Sequence, residues 1–361
     1  MNWQIPKADY WVRKLSVYLH DPITKPLHIP GHEERSKALL TSLGALAFPA
    51  KETYQAADRL AAGMDRSQLP GHKKKGSIDF IESPCLTHPT GEETPLTLRL
   101  PESFNGMDGK TIQQVEEEVL LFLNSKKSIG HQPDEGSLSD QFKGDPEGFA
   151  FARFLYVHLQ LRNELAKHNV AGLGELWGRL PADTRQPDHS IWQHNGLVSA
   201  LSSCCELSEF NQPSLLVYSL TPVQEFISKA RKLRDYWTGS VLLSWLAFSG
   251  IRAILETLGP DHILYPNLLD QPLVNEYCRH RVATEKAADH FFPVNPAINA
   301  SVASFPNKFV CLVPRGRESE YAAAIEASIH SCWMGLAEAV KELVKSQTNS
   351  LQAEQGYGYI D

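Results

Sequence analysis

The sequence predicts an α+β protein whose first two hundred residues are helical and whose remainder mixes strands with long helices. Two observations carry this. Apolar residues recur at helical spacing from about residue 10 to residue 207, whereas 214–220 (SLLVYSL) is a continuous β-prone apolar run closed by Thr221-Pro222. The elements that follow that run then come in the order strand, long helix, strand, strand, helix. This order is the beginning of a ferredoxin-like palm. The boundary is expected within Glu209 to Pro213, giving a helical unit over 1–208 and a palm-like unit over 213–361. No internal repeat is visible.

Tyr10 to His20 places Trp11, Leu15, Tyr18 and Leu19 at helical spacing. A loop punctuated by Pro and Gly follows from Pro22 to Gly31, then helices from about Glu33 to Ala47 and Glu52 to Met64. Pro70 to Pro101 is rich in Pro, Gly, Thr and charge and reads as an irregular insertion. Thr111 to Asn124 is an amphipathic helix, and Ser125 to Asp145 a polar loop. One long helix is expected over Pro146 to Lys167, with further helices over Leu173 to Leu180 and Ile191 to Leu207. In the second part, a helix or helix pair covers Val223 to Leu258. Short strands are expected at His262 to Tyr265 and Lys308 to Val313, before a final helix from Glu320 to Lys345.

A chain of 361 residues with 42% hydrophobic and 21% charged residues has an ordinary globular composition and is long enough for two domains. The net charge of −7 excludes a wholly basic nucleic-acid coat, although a local basic groove remains compatible with it. The six cysteines, at 85, 204, 205, 278, 311 and 332, form no CxxC pair, so no zinc ribbon can be built from them. They read as reduced, buried thiols. The most apolar stretch, Val241 to Leu258, is interrupted by Arg252 and Glu256, so no membrane span is expected. The N-terminus has no apolar signal-peptide core. The expected location is the cytoplasm.

The chemistry-bearing residues cluster in four places. His20-Asp21 lies at a helix end beside the Pro-rich loop; His32-Glu33 opens the next helix. Asp58 sits in AADRLAAGMDR, whose small residues permit close packing, and Asp188, His189 and His194 occur in PDHSIWQHNGLVSAL. An HD dipeptide alone is equally a C-terminal His beside a capping Asp. Imidazoles and carboxylates offered from several helices are, however, what a pair of Mn²⁺, Ni²⁺, Fe²⁺ or Mg²⁺ ions requires. Such a pair activates water and clamps the oxygens of a phosphodiester. Lys25 lies near enough to meet a scissile phosphate, or else is a solvated loop lysine; Lys73 to Lys75 read as a solvated run. In the second part Lys229, Arg231, Lys232 and Arg234 crowd one predicted helix ahead of Tyr236 and Trp237. These are either a solvated face with aromatic core anchors or a nucleic-acid contact. Gly239-Ser240, if it opens a helix, would offer backbone N–H groups to phosphate.

The segments HDPITKPLHIPGHEE, AADRLAAGMDR and PADTRQPDHSIWQHNGLVSAL resemble the HD-domain signatures of the large subunit of type III-B CRISPR (Cmr) effector complexes. SLTPVQEFISKARKLRDYWTGSVLLSWL, HILYPNL and SFPNKFVCLVP are similar to its palm and are the more specific part. The likeness runs from about residue 10 to 345. It implies a circularly permuted HD fold in which the histidine usually preceding the HD pair comes last. The implied ligands of a two-ion site are then His20, Asp21, His32, Asp58 and His194, with Asp188 and His189 as supporting or alternative ligands and His28 as an alternative to His32. Gln193 departs from the family, where an acid often precedes the last histidine. The resemblance implies hydrolysis of single-stranded DNA, with His20, Asp21 and Lys25 as the catalytic group. It also implies a nucleotide pocket, able to take ATP, at Gly239-Ser240 on the palm interface. Implied partners are other Cmr subunits, CRISPR RNA and target RNA, with no membrane. The family's second palm, with its Gly-Gly-Asp-Asp motif, is not found here, since the chain contains no Gly-Gly dipeptide. No oligoadenylate synthesis is therefore expected from this chain alone. A silent scaffold subunit and an HD-type nucleotide phosphohydrolase are the alternatives.

Overall fold

The computed structural model describes residues 7–44, 46–62, 85–86, 96–97, 112–125, 142, 144–182, 189–282, 285–293 and 302–348. The insertion expected over Pro70 to Pro101 is described only as a two-strand pairing of β1 (Cys85–Leu86) with β2 (Leu96–Thr97).

The helical part begins with α1 (Ala8–Tyr18), which buries Trp11, Leu15 and Tyr18 on one face. α2 (His32–Ser42) starts after Gly31, whose φ of 70° is left-handed and suits glycine. α3 (Lys51–Ala61) and α4 (Ile112–Ser125) follow. α5 (Pro146–Leu159) opens with Pro146 at its first turn and Asp145 accepting from the Gly148 N–H at 2.9 Å. The single helix expected over 146–167 is broken at Gln160, and α6 (Leu161–Lys167) is a separate short helix. The helix expected over 173–180 is two 3-10 turns, Val170–Gly172 and Gly174–Gly178. Glycines at 172, 174 and 178 supply too little helix propensity there for an α-helix. α7 (Ile191–Leu207) begins with a complete capping box: Ser190 and Gln193 each bond the other's backbone N–H.

The second part contains β3 (Pro213–Ser219), α8 (Val223–Ser228), α9 (Leu233–Thr257), β4 (Ile263–Tyr265), α10 (Pro272–His280), α11 (Glu285–Phe291), β5 (Lys308–Pro314) and α12 (Glu318–Thr348). The sheet is antiparallel in the order β3-β5-β4, with Leu216 and Ile263 both opposite Cys311. α10 and α11, between β4 and β5, have no counterpart in the expected element order. α9 is long and apolar enough to cross a membrane, but 56% of that stretch is buried inside the protein. It packs against α12 and pairs Arg252 with Glu256, as a core helix does.

One apolar core runs without interruption from Trp11, Phe151 and Trp177 to Ile251, Phe309 and Ile325. Consecutive residues of β5 point to opposite faces. Cys311 joins that core, whereas Leu312 packs with Val198, Leu201 and Cys204 of α7. The change of backbone pattern at Glu209 to Pro213 thus falls between α7 and β3, while packing continues across it. A buried ion pair also crosses it: Lys14 Nζ lies 2.7 Å from Asp261 Oδ2, with the side chains 1% and 0% exposed. Burial drives both groups toward neutrality, and their mutual contact opposes this.

Candidate metal centre

The turn that ends α1 carries the first two candidate ligands. Helical hydrogen bonding stops at Leu19, so His20 and Asp21 lie just beyond the helix and not on it. Three contacts fix the turn: the His20 N–H donates to Val17 O at 3.1 Å, Ser36 Oγ–H to Leu19 O, and Asn195 Nδ2–H to Asp21 O at 3.0 Å. α3 brings Asp58, and the first turn of α7 brings His194. α3 and α7 are held together partly by Ser202 Oγ–H donating to Thr53 O at 2.5 Å.

One ligand atom from each of His20, Asp21, Asp58 and His194 lies within 4.8 Å of all the others. His20 Nε2 is 3.6 Å from Asp21 Oδ2 and 3.8 Å from Asp58 Oδ1. His194 Nε2 is 3.9 Å from Asp21 Oδ2 and donates to Asp58 Oδ1 at 3.1 Å. His20 Nδ1–H donates to Val17 O at 2.8 Å, which leaves Nε2 with its lone pair. That Nε2 is buried and has no hydrogen-bond partner. An acceptor atom without a donor, facing two carboxylates, is the environment a divalent cation satisfies.

His32 is arranged in the same way. Its Nδ1–H donates to Ile29 O at 3.0 Å, and its Nε2 lies 3.8 Å from the other oxygen of Asp21, Oδ1. Asp21 therefore faces His20 and His194 with one oxygen and His32 with the other, the disposition of a bridging carboxylate. Lys25 is not a solvated lysine: its ammonium donates to Asp21 Oδ2. His20 and Asp21 form the buried floor, while Asp58, His32 and Lys25, at 30%, 33% and 23% side-chain exposure, line the open side.

The electrostatics follow from these contacts. Burial pushes both carboxyls up. For Asp21 it is outweighed by Lys25, His20 and His194, and for Asp58 by the hydrogen bond from His194 and the proximity of His20. Both are held below the usual carboxylate range and stay ionised. The Tyr54 ring packs 4.8 Å from His20, and burial raises its phenol to about 12, so it remains neutral.

Asp188 lies outside the described residues. His189 stands beside His194, with ring centroids 6.0 Å apart, but is not one of the four gathered groups. His28 contributes its backbone oxygen to Arg35. Gln193 spends its side chain on the Ser190 cap. Tyr54, Asn195 and Ser36 were not singled out in sequence; lone residues of these types carry no pattern.

Two expectations in the second part need correction. Gly239-Ser240 does not open a helix. It lies inside α9, where Ser240 Oγ–H donates to Tyr236 O at 3.2 Å, so its N–H groups serve the helix and not a phosphate cradle. Lys229, Arg231, Lys232 and Arg234 do not share one helix either. α8 stops at Ser228 and α9 starts at Leu233, leaving the cluster on an exposed elbow. Tyr236 and Trp237, 53% and 50% exposed, are not core anchors.

Comparison with known proteins bears on both halves. Residues 215–338 match the family model "CRISPR-associated protein Cmr2, N-terminal". The chain is 30% identical over 337 residues to the CRISPR system Cmr subunit Cmr2 of Pyrococcus furiosus, covering 85% of this chain and 35% of that protein. It is 34% identical over 110 residues to the Cmr2 subunit of Saccharolobus solfataricus, covering 30% and 10%. A chain in the cryo-EM structure of type III-B Cmr-beta in its apo state matches the fold with a TM-score of 0.62 at 21% identity, over 94% of this chain and 34% of that one. A chain in Cmr-beta bound to cognate target RNA matches with a TM-score of 0.61 at 19% identity, over 94% and 33%. The chain thus spans about a third of the length of the P. furiosus relative and of both Cmr-beta chains. At 30% identity over 85% of its length to one Cmr2 subunit, the chain belongs to the Cmr2 family of CRISPR-associated proteins.

Proposed function

We propose that this chain forms the HD-type nuclease unit and first palm-like unit of a type III-B CRISPR effector, hydrolysing single-stranded DNA at the centre built on His20 and Asp21. The observation that carries this is the buried, unpartnered Nε2 of His20 facing Asp21 and Asp58 beside His194. His20, Asp21, Asp58 and His194 would hold one divalent cation, with Asp21 bridging to a second near His32. Mn²⁺, Ni²⁺ or Mg²⁺, when bound, would activate water and neutralise charge on a phosphodiester. The chain's own residues do the rest. Val17 O and Ile29 O fix the tautomers of His20 and His32, and Asn195 holds the Asp21 backbone. Lys25, released from Asp21, is placed to meet a phosphate oxygen.

The palm-like reading draws on the β3-β5-β4 order with α9 and α12 packed on one face. The exposed elbow of Lys229, Arg231, Lys232 and Arg234, followed by exposed Tyr236 and Trp237, has the charge and aromatic surface that single-stranded nucleic acid contacts. Other Cmr subunits, CRISPR RNA and target RNA are the proposed partners, in the cytoplasm. An ATP-binding role for the surface near Gly239-Ser240 would require a second unit to complete it.

The test is cleavage of labelled single-stranded DNA with added Mn²⁺, Ni²⁺ or Mg²⁺, comparing the wild type with His20→Ala/Asp21→Ala. Metal-dependent cleavage lost in the variant is expected. A second reading, a silent scaffold, is favoured by one observation: the Lys25 ammonium already neutralises Asp21. Metal-free protein that cleaves nothing with any of the three ions would replace the nuclease reading with that one.

A further inference from the structure

A second cleft, of about 290 Å³, opens where α5, α6 and α7 meet the segment leading into β4. It shares no lining residue with the four groups gathered at the metal centre. Tyr18, His158, Arg162, Trp192, Asp261 and Asn267 are among the residues that line it. Three buried polar atoms of this lining have no hydrogen-bond partner: Tyr18 Oη, His158 Nδ1 and Arg162 Nε. Tyr18 is 0% exposed, so bulk water does not satisfy it. A buried polar atom left unpaired costs about 1–3 kcal/mol, and three around one cleft call for an occupant.

The chemistry of the occupant follows from what each group lacks. The Arg162 N–H can only donate to it, and the Tyr18 phenol can donate to it through its O–H. Burial, with Arg162 and Lys14 nearby, holds His158 down to about 3, so its imidazole is neutral and can donate from one nitrogen. Three donors, one of them a guanidinium, match the oxygens of a phosphate. Tyr18, His158 and Arg162 all line this one space. Gly196 keeps that space open: a Cβ there would lie 3.2 Å from His158 Cε1. We propose that this cleft is a binding site for a small phosphate ester, with Arg162, Tyr18 and His158 on the phosphate.

The test is isothermal titration of ribose 5-phosphate, with ribose as the control, into the chain freed of metal by a chelator. The His20→Ala/Asp21→Ala background removes phosphate binding at the metal centre, so the result does not depend on the nuclease reading. Saturable binding of ribose 5-phosphate, absent for ribose and weakened about tenfold or more by Tyr18→Phe and by Arg162→Gln, is expected. Tyr18→Phe removes only the hydroxyl and decides the matter should Arg162→Gln fail to fold. The proposal is overturned if ribose 5-phosphate gives no saturable heat at concentrations up to about 10 mM. It is equally overturned if binding is unchanged in both variants. Either result makes the cleft a site for ordered water alone.

Discussion

Replacing Lys14 by Met should be among the most destabilising single substitutions in this protein, and its cost should depend on pH. Lys14 Nζ sits 2.7 Å from Asp261 Oδ2, donates to Ser203 Oγ at 3.0 Å, and lies over the rings of Phe154 and Tyr10. Methionine retains most of the apolar stem, so the loss is nearly all charge. Removing one partner of a buried pair leaves the other uncompensated, at about 3–5 kcal/mol. Burial already raises the Asp261 pKa despite Lys14, and without Lys14 it rises further. A group whose folded pKa exceeds its unfolded value is tolerated below the unfolded pKa, about 4, and costs stability as pH rises through the folded one. The deficit of Lys14→Met is therefore small near pH 4 and full near pH 8. Asp261→Asn added to Lys14→Met should recover about 2 kcal/mol or more relative to additive costs. Urea unfolding followed by tryptophan fluorescence, with Trp11 three residues from Lys14, gives all three quantities. A Lys14→Met deficit under about 1 kcal/mol at pH 8, or strict additivity in the double variant, would refute the argument.

Other expectations follow from the same geometry. His158 titrates near 3 in the folded chain and near 6.5 unfolded. The unfolded state therefore binds more protons in that window, and stability drops as the pH is lowered through it. Between pH 6.5 and 5 the loss from this group is about 2 kcal/mol, seen as a flatter pH dependence of urea unfolding in His158→Gln. Ser190→Ala removes the capping box that starts α7 and should cost about 1 kcal/mol while weakening Mn²⁺ binding at His194, both readable by calorimetry. At Gly259, φ is 120° and a Cβ would lie 2.5 Å from Asp261 Oδ1 and 2.6 Å from Lys14 Cε, so Gly259→Ala should lower stability by about 2 kcal/mol or more. Lys25→Met frees Asp21 and should tighten Mn²⁺ binding by about tenfold; unchanged or weaker binding would show that the ammonium does not compete with the cation.

What could be read in the sequence tracks how local its cause is. The helices of the first part announce themselves through spacing, because each buries one face on a common core. Strand β3 is legible because its apolar run is short and ends at Thr221-Pro222. The breaks were not legible. Nothing periodic separates α5 from α6 at Gln160, and α8 from α9 at 229–232 looks helical because Lys, Arg and Ala are all good helix formers. At the site, the paired motif residues His20, Asp21 and His194 converge as their residue types suggested. Their tautomers and the engagement of Lys25 depend on turns whose geometry the residue types do not specify. Asp261 is the clearest omission. It precedes the recognisable HILYPNL run, and an aspartate after Gly-Pro reads as a turn residue. Its significance appears only when Lys14, 247 residues away in sequence, is packed against it.

That pairing bears on how the two halves can move. Lys14 lies on α1, six residues upstream of His20 in the turn that ends that helix, and its partner Ser203 lies on α7, which also delivers His194. The two helices that frame the candidate centre are therefore the two that grip Asp261, at the root of β4 in the palm-like sheet. Asp58 joins them through α3, held to α7 by the Ser202–Thr53 hydrogen bond and shared apolar packing. A displacement of β4 relative to α1 would have to break a buried ion pair, or else carry His20, Asp21 and His194 along with it. The second course costs less, since breaking the pair exposes two desolvated charges to one another's loss. Events at the sheet are thus mechanically connected to the geometry of the candidate metal centre, through Lys14 and Asp261 and not through the exposed connection at Glu209 to Pro213.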